Sequence, residues 1–265
     1  MSPKSDEMKI FVLLPRIPYP LEKGDKLRAF NQIKQLAKRN EIVLCALNDN
    51  PEVSEQDAFR ALQPYCQSIN FIKISKPQIL LGLVRAFLKG LPMQCGYFYN
   101  HKAAKRIDAL IAKHKPDMLF GQLLRVAEYI RSKNLPKAID YQDIFSYGMK
   151  RRADIASPIT RPIYTMEYRR LKRYEAAIFE DFDVKTIISE PDRALFPHEK
   201  RDEILVIPNG VDHDYFKPQE REKQYDLVFT GNMSYPPNVN AVDYLATEIM
   251  PIVWKTLPET KLYIA

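Results

Sequence analysis

The sequence predicts an α/β protein: a doubly wound parallel sheet, followed by the opening strand–helix–strand elements of a second domain of the same kind. Three observations carry this expectation. Short, continuously apolar runs such as Lys9–Leu14 (KIFVLL) and Glu41–Leu47 (EIVLCAL) have the composition of strands buried on both faces. These runs alternate with segments whose apolar residues recur at helical spacing. The pattern then restarts after Val206–Gly210, where Pro208 fixes φ and Asn209-Gly210 accepts positive φ, so the chain turns sharply.

In chain order, Lys9–Leu14 is the first strand, and residues 1–7 read as an extension before it. Pro15, Pro18 and Pro20 hold an extended loop, after which a helix carries Leu27, Phe30, Ile33 and Ala37 on one face, with Asp25 as its expected cap. Glu41–Leu47 is the second strand, Ser54–Gln63 a helix capped by Ser54, and Ile69–Ile74 the third strand. Gln78–Lys89 and His101–Lys113 read as helices separated by a Pro/Gly/aromatic loop over Leu91–Asn100. Asp117–Phe120 is the fourth strand, Leu124–Ser132 a helix, and Lys137–Tyr141 the fifth strand. A long basic helix over Pro162–Glu180 precedes strands at Val184–Ser189 and Ile204–Ile207. After a polar connector, Asp226–Thr230 is a strand ending at Gly231, Asn238 is placed to cap the next helix, and Lys261–Ala265 is a strand. Strands alternating with helices in this way make a Rossmann-like sheet, which binds ligands beyond the carboxyl ends of its strands. The expected division is a first domain over 8–207, a connector over 208–225 and the start of a second domain over 226–265.

Composition narrows the class. The 46% hydrophobic and 28% charged fractions of the 265 residues are those of a globular chain. No apolar run approaches the roughly 20 residues needed to span a bilayer, and no signal-peptide core is present. Three widely separated cysteines without a CxxC, and four scattered histidines, argue for a reduced cytoplasmic protein without a structural metal. The net charge of +7 suits a phosphate-bearing ligand or an anionic membrane face; nucleic acid is disfavoured because no aromatic-basic stacking pattern accompanies the charge. Lys150–Arg173 concentrates that charge. It reads either as the solvated face of a core-packed helix or as a peripheral membrane contact.

The residues just after the strands form the shortlist for chemistry. Gly24, Asp25, Lys26 and Arg28 open the first helix, where a glycine lets a ligand approach the backbone and the helix N-terminus favours negative charge. Neither GxGxxG nor GxxxxGK[ST] is present, so no dinucleotide or P-loop site is supported. Gln122 and Arg125 follow the fourth strand. Asp140, Asp143 and Ser146 follow the fifth, reading either as a base or sugar-hydroxyl ligand set or as a strand-end turn and helix cap.

Pro18-Tyr-Pro…Lys-Gly-Asp-Lys-Leu-Arg28, Asp140…Asp143…Ser146, Tyr174-Glu175, Val206-Ile-Pro-Asn-Gly-Val-Asp212, Phe229-Thr-Gly-Asn-Met and Tyr235-Pro-Pro-Asn-Val-Asn-Ala241 together resemble bacterial sugar transferases of glycosyltransferase family four, particularly those of exopolysaccharide assembly. The resemblance implies a GT-B enzyme with two Rossmann-like domains facing across a cleft. Such an enzyme usually retains anomeric configuration and needs no cofactor or obligatory metal, the nucleotide-sugar being a co-substrate. It implies that Gly24 and its neighbours, Gln122 and Arg125 serve the acceptor side, and that Gly231 and Asn232, with the helix start near Asn238, serve the donor. The chain departs from the family in its single Gly24, in Gln122 where many members have histidine, and in lacking the Glu-x7-Glu motif before its last residue. The expectation is a transferase truncated in its second domain and inactive alone. A sugar-nucleotide epimerase and a non-catalytic glycan- or partner-binding module are the alternatives. Arg28→Ala is expected to weaken transfer without unfolding the protein.

Overall fold

The structure is a computed structural model that describes residues 7–220, 222–233 and 236–265. Most of the N-terminal extension, Arg221 of the connector and Tyr235 of the Tyr-Pro-Pro segment lie outside the described residues. The chain divides into two compact units, 1–209 and 210–265.

The first unit runs β1 (Lys9–Leu14), α1 (Gly24–Leu36), β2 (Glu41–Asn48), α2 (Glu55–Leu62), β3 (Ser68–Lys73), α3 (Lys76–Lys89), α4 (Met93–Phe98), α5 (His101–His114) and β4 (Met118–Gln122). It continues through α6 (Ala127–Ile130), β5 (Lys137–Gln142), α7 (Phe145–Ile155), α8 (Arg161–Ile178), β6 (Val184–Ile187), α9 (Glu190–Leu195) and β7 (Leu205–Val206). All seven strands are parallel, in the order β3-β2-β1-β4-β5-β6-β7.

The apolar runs become strands because both faces of the sheet are covered. Phe11 and Leu13 point into one core with Val43, Cys45 and Leu47, closed by Ile107 of α5 and Leu171 and Ile178 of α8. Ile10, Val12 and Leu14 point into a second core with Ile42, Leu44 and Ala46, closed by Ala29 and Ile33 of α1 and Leu62 of α2. The period-two alternation of a strand thus feeds two apolar layers, which is why the interiors of these runs carry no charged positions. Strand order reverses direction between β1 and β4, so a crevice opens beyond their carboxyl ends.

Several expectations change. Met93–Phe98 is a helix, not a loop: Gly82 of α3 and Gly96 of α4 approach so closely that a Cβ on Gly82 would overlap the carbonyl oxygens of Gly96 and Tyr99. Asp25 does not cap α1, which begins at Gly24 with Lys23 at the cap position. Ser54 does cap α2, accepting from the Asp57 amide at 3.2 Å. The segment after β4 is a 3-10 turn and the single-turn α6 rather than one helix. In α8 the inward side is Glu167, Leu171, Tyr174, Glu175 and Ile178, while Ile163 is exposed.

The second unit holds β8 (Leu227–Phe229), α10 (Pro236–Tyr244), a π turn at Leu245–Ile249, α11 (Met250–Thr256) and β9 (Leu262–Ile264). β8 and β9 pair in parallel, making a strand–helix–strand unit. Its helix starts at Pro236, two residues before Asn238, so Asn238 is not its cap.

Candidate functional site

The carboxyl ends of the first unit's strands carry three polar groupings. The first lies around the β1/β4 crevice. Gln122, buried at the end of β4, donates from Nε2 to the Asp25 carbonyl at 3.1 Å, tying β4 to the start of α1. Asp25 pairs with Arg16 at 3.1 Å. Arg125 donates from Nε (3.2 Å) and Nη2 (2.9 Å) to Gln94 Oε1, and its guanidinium lies 5.3 Å from the Phe98 ring centroid and 4.9 Å from that of Phe145. Burial, reinforced by the nearby Arg16 charge, lowers the Arg125 pKa to about 10, so it remains cationic at neutral pH. Tyr97 donates to Asp49 at 2.9 Å; desolvation and that carboxylate both raise its pKa. A groove of about 210 Å³ beyond β1 and β2 is lined by Arg16, Lys23, Lys26, Asn48 and Asp49. A Cβ at Gly24 would meet open space, so the backbone there is approachable and packing does not demand a glycine.

The second grouping is a buried node on Asp140. This carboxylate accepts from Arg28 Nε at 2.7 Å and Nη2 at 3.2 Å, from Gln32 Nε2 at 2.8 Å and from Thr186 Oγ1 at 2.8 Å. Arg28 Nη1 also donates to Asn209 Oδ1 at 2.9 Å. Arg28 is therefore committed within the protein, and so is Lys26, whose Nζ bonds Glu22 at 2.9 Å. One node joins α1, β5, β6 and the end of the first unit.

The third grouping surrounds the start of α7. Glu175 of α8 accepts from the Ser146 amide at 3.1 Å, while its other oxygen is buried without a hydrogen bond. Burial outweighs the Ser146 hydroxyl and the N–H groups of Ser146 and Phe145 and pushes the Glu175 pKa up to about 7. Asp143 keeps solvent access; desolvation, then the charges of Asp192 and Asp140, raise its pKa from its ordinary value. Leu123 (φ 64°) and Gln142 (φ 61°) end β4 and β5 in left-handed backbone, the kind of strain that collects at ligand-facing strand ends.

In the second unit, Gly231, Asn232 and Asn238 come together: Asn238 Nδ2 donates to the Asn232 carbonyl at 3.0 Å, and a Cβ on Gly231 would sit 2.8 Å from that amide nitrogen. A side chain there would have to displace the Asn238 amide. Among the described residues no group of three or more His, Cys, Asp or Glu is placed to hold a metal ion, and no helix is long and apolar enough to cross a membrane. Burial pushes the Cys45 and Cys66 thiols up to about 12.

The α/β fold described above has counterparts among solved structures. It matches sucrose-phosphate synthase from Thermosynechococcus elongatus with a TM-score of 0.53 and 13% identity, over 84% of this chain and 55% of that one. Medicago truncatula UGT71G1 complexed with UDP-glucose (TM-score 0.48, 12% identity, 89% of this chain, 62% of that one) also aligns. So does S. aureus MnaA in its UDP co-structure (TM-score 0.44, 11% identity, 97% and 62%). The chain thus spans little more than half the length of the structures it matches. At such identities the likeness speaks to fold alone. No protein-family profile matches the chain, and no curated protein matches it.

Sequence reasoning missed Arg16, Asp49, Gln94, Tyr97, Thr186 and Asn209. Arg16, Asp49 and Asn209 stand in loops, Gln94 and Tyr97 in α4 and Thr186 in β6, and only the tertiary packing brings them to the site. A signal did exist for Asn209, in the Pro-Asn-Gly turn, but it was read for its backbone alone.

Proposed function

We propose that this protein is a glycosyltransferase that moves a sugar from a nucleotide-sugar donor to a glycan or lipid-linked acceptor, in the cytoplasm and with retention of anomeric configuration, during polysaccharide assembly. The observation that carries the reading is the parallel sheet with its β1/β4 crevice, at whose rim Arg16, Asp25, Gln122 and Arg125 converge. Transfer breaks the bond from the sugar's anomeric carbon to the diphosphate and forms one to an acceptor oxygen, which loses its proton. The crevice suits the acceptor side of that reaction. Carboxylates such as Asp49 and Asp143 accept from sugar hydroxyls, and Arg16 and Arg125 meet anionic groups on the acceptor. On the second unit, the Gly231–Asn232–Asn238 cradle is the donor-side candidate.

Isotope-labelled nucleotide-sugars incubated with the protein and candidate glycan or lipid-linked acceptors test this. Label should enter the acceptor, with nucleoside diphosphate released only when acceptor is present. Isomerised donor without acceptor would instead identify an epimerase, and glycan binding without donor turnover a binding module.

A further inference from the structure

Helix α3 is built inside out. Leu80, Leu81, Val84, Phe87 and Leu88 are between 50% and 78% exposed, and their spacing gathers them on one continuous outward face. The inward side holds Gly82 and Ala86, whose small size lets α3 press against Gly96 of α4. Five bulky apolar side chains on one exposed face form a patch that soluble surfaces rarely carry without a partner.

Beside that face stands the cationic side of α8. Arg170 bridges the two elements: Nη2 donates to the Phe87 carbonyl and Nη1 to the Leu91 carbonyl, each at 3.3 Å, and the guanidinium lies 5.1 Å from the Phe87 ring centroid. Arg161, Arg169, Arg170 and Arg173 line an open groove of about 760 Å³ along α8. The one acidic residue of 161–173, Glu167, is turned inward and accepts from the Met93 and Gln94 amides at 2.9 and 3.2 Å. Among the described residues Arg161, Arg169, Lys172 and Arg173 form no ion pair, and Ile159 and Ile163 stand exposed beside them.

We propose that α3 and the basic side of α8 together dock on an anionic phospholipid bilayer. The five α3 side chains enter the boundary between headgroups and acyl chains, and the α8 arginines hold lipid phosphates. Charge complementarity selects this occupant. A second copy would bring the same uncompensated arginines to the contact, and a neutral apolar partner would leave them unanswered. The inference holds whether or not the chain transfers sugars.

Vesicle flotation of the full chain tests it, using phosphatidylglycerol and phosphatidylcholine vesicles at low and high salt. The wild type should float with phosphatidylglycerol vesicles and partition at least about tenfold less onto phosphatidylcholine or at high salt. Leu81→Ser/Leu88→Ser alters only exposed positions, and Arg169→Glu/Arg173→Glu only surface charge. Each should lower partitioning by about tenfold or more while thermal unfolding stays unchanged. No flotation by the wild type, equal binding to both lipids, or binding unaffected by either double substitution would overturn the proposal. So would a wild-type dimer that Leu81→Ser/Leu88→Ser converts to monomer without any vesicle binding, since a second copy would then be the occupant.

Discussion

Arg28 and Asp140, separated by 112 residues in sequence, form a two-point ion pair with both side chains buried, at 2.7 and 3.2 Å. Both stand among the candidate site residues of the sequence, Asp140 also as a strand-end turn; in the structure they bond each other. Removing one partner of such a pair strands a buried charge. Arg28→Ala should therefore lower unfolding free energy by about 3–5 kcal/mol, read by urea denaturation, against the expectation that it leaves the fold intact. Arg28→Lys should lose much of the same stability, because an ammonium cannot replace the two-point fork. Unchanged midpoints for both would remove the pair from the stability of the first unit.

Glu175 supplies a pH dependence. Its folded pKa is raised from 4.5 to about 7 by burial, so the folded state holds a proton that the unfolded state releases. The resulting stability is fully present below pH 4.5 and is lost as pH rises through 7. At most it amounts to roughly 3 kcal/mol. Glu175→Gln keeps an acceptor for the Ser146 amide and removes the titration. Melting temperature plotted from pH 5 to 8 should fall more steeply for the wild type than for this variant.

Two glycines should respond differently to alanine. At Gly82 the new methyl meets the backbone carbonyls of Gly96 and Tyr99, which cannot move without separating α3 from α4. At Gly121 it meets Ile130 Cδ1 at 2.7 Å, the far end of a flexible side chain. Gly82→Ala should cost about 2–3 kcal/mol and Gly121→Ala about 1, compared by thermal unfolding.

Arg125 tests the acceptor side. Arg125→Lys keeps the charge and loses both the fork on Gln94 and the stacking between Phe98 and Phe145. Under the proposed function, acceptor KM should rise about tenfold while donor KM stays unchanged. Equal shifts in both would place Arg125 outside the acceptor side.

The strands were readable because burial on both faces demands uninterrupted apolar runs, and a run such as KIFVLL admits little else. Helix α4 was not readable. Met-Gln-Cys-Gly-Tyr-Phe lacks helical periodicity, and the segment becomes helical through Gly96 meeting Gly82, a tertiary contact. The crevice was legible as a location, since strand ends in a doubly wound sheet bind ligands. Its composition was less so. Arg16 and Asp49 come from two separate loops and Tyr97 from α4, and the commitment of Arg28 to Asp140 depends on which helix lies over which strand. The left-handed backbone of Leu123 and Gln142 left no trace, because neither residue type favours it.

The small-side seating of α3 has a practical consequence for anyone handling the protein. The five apolar side chains of α3 face solvent while the folding core lies elsewhere, so solubility and stability are governed by different residues. Sequence changes that raise the melting temperature should do nothing for precipitation. A mild detergent, or serine at Leu81 and Leu88, should extend the concentration range over which the protein stays monodisperse.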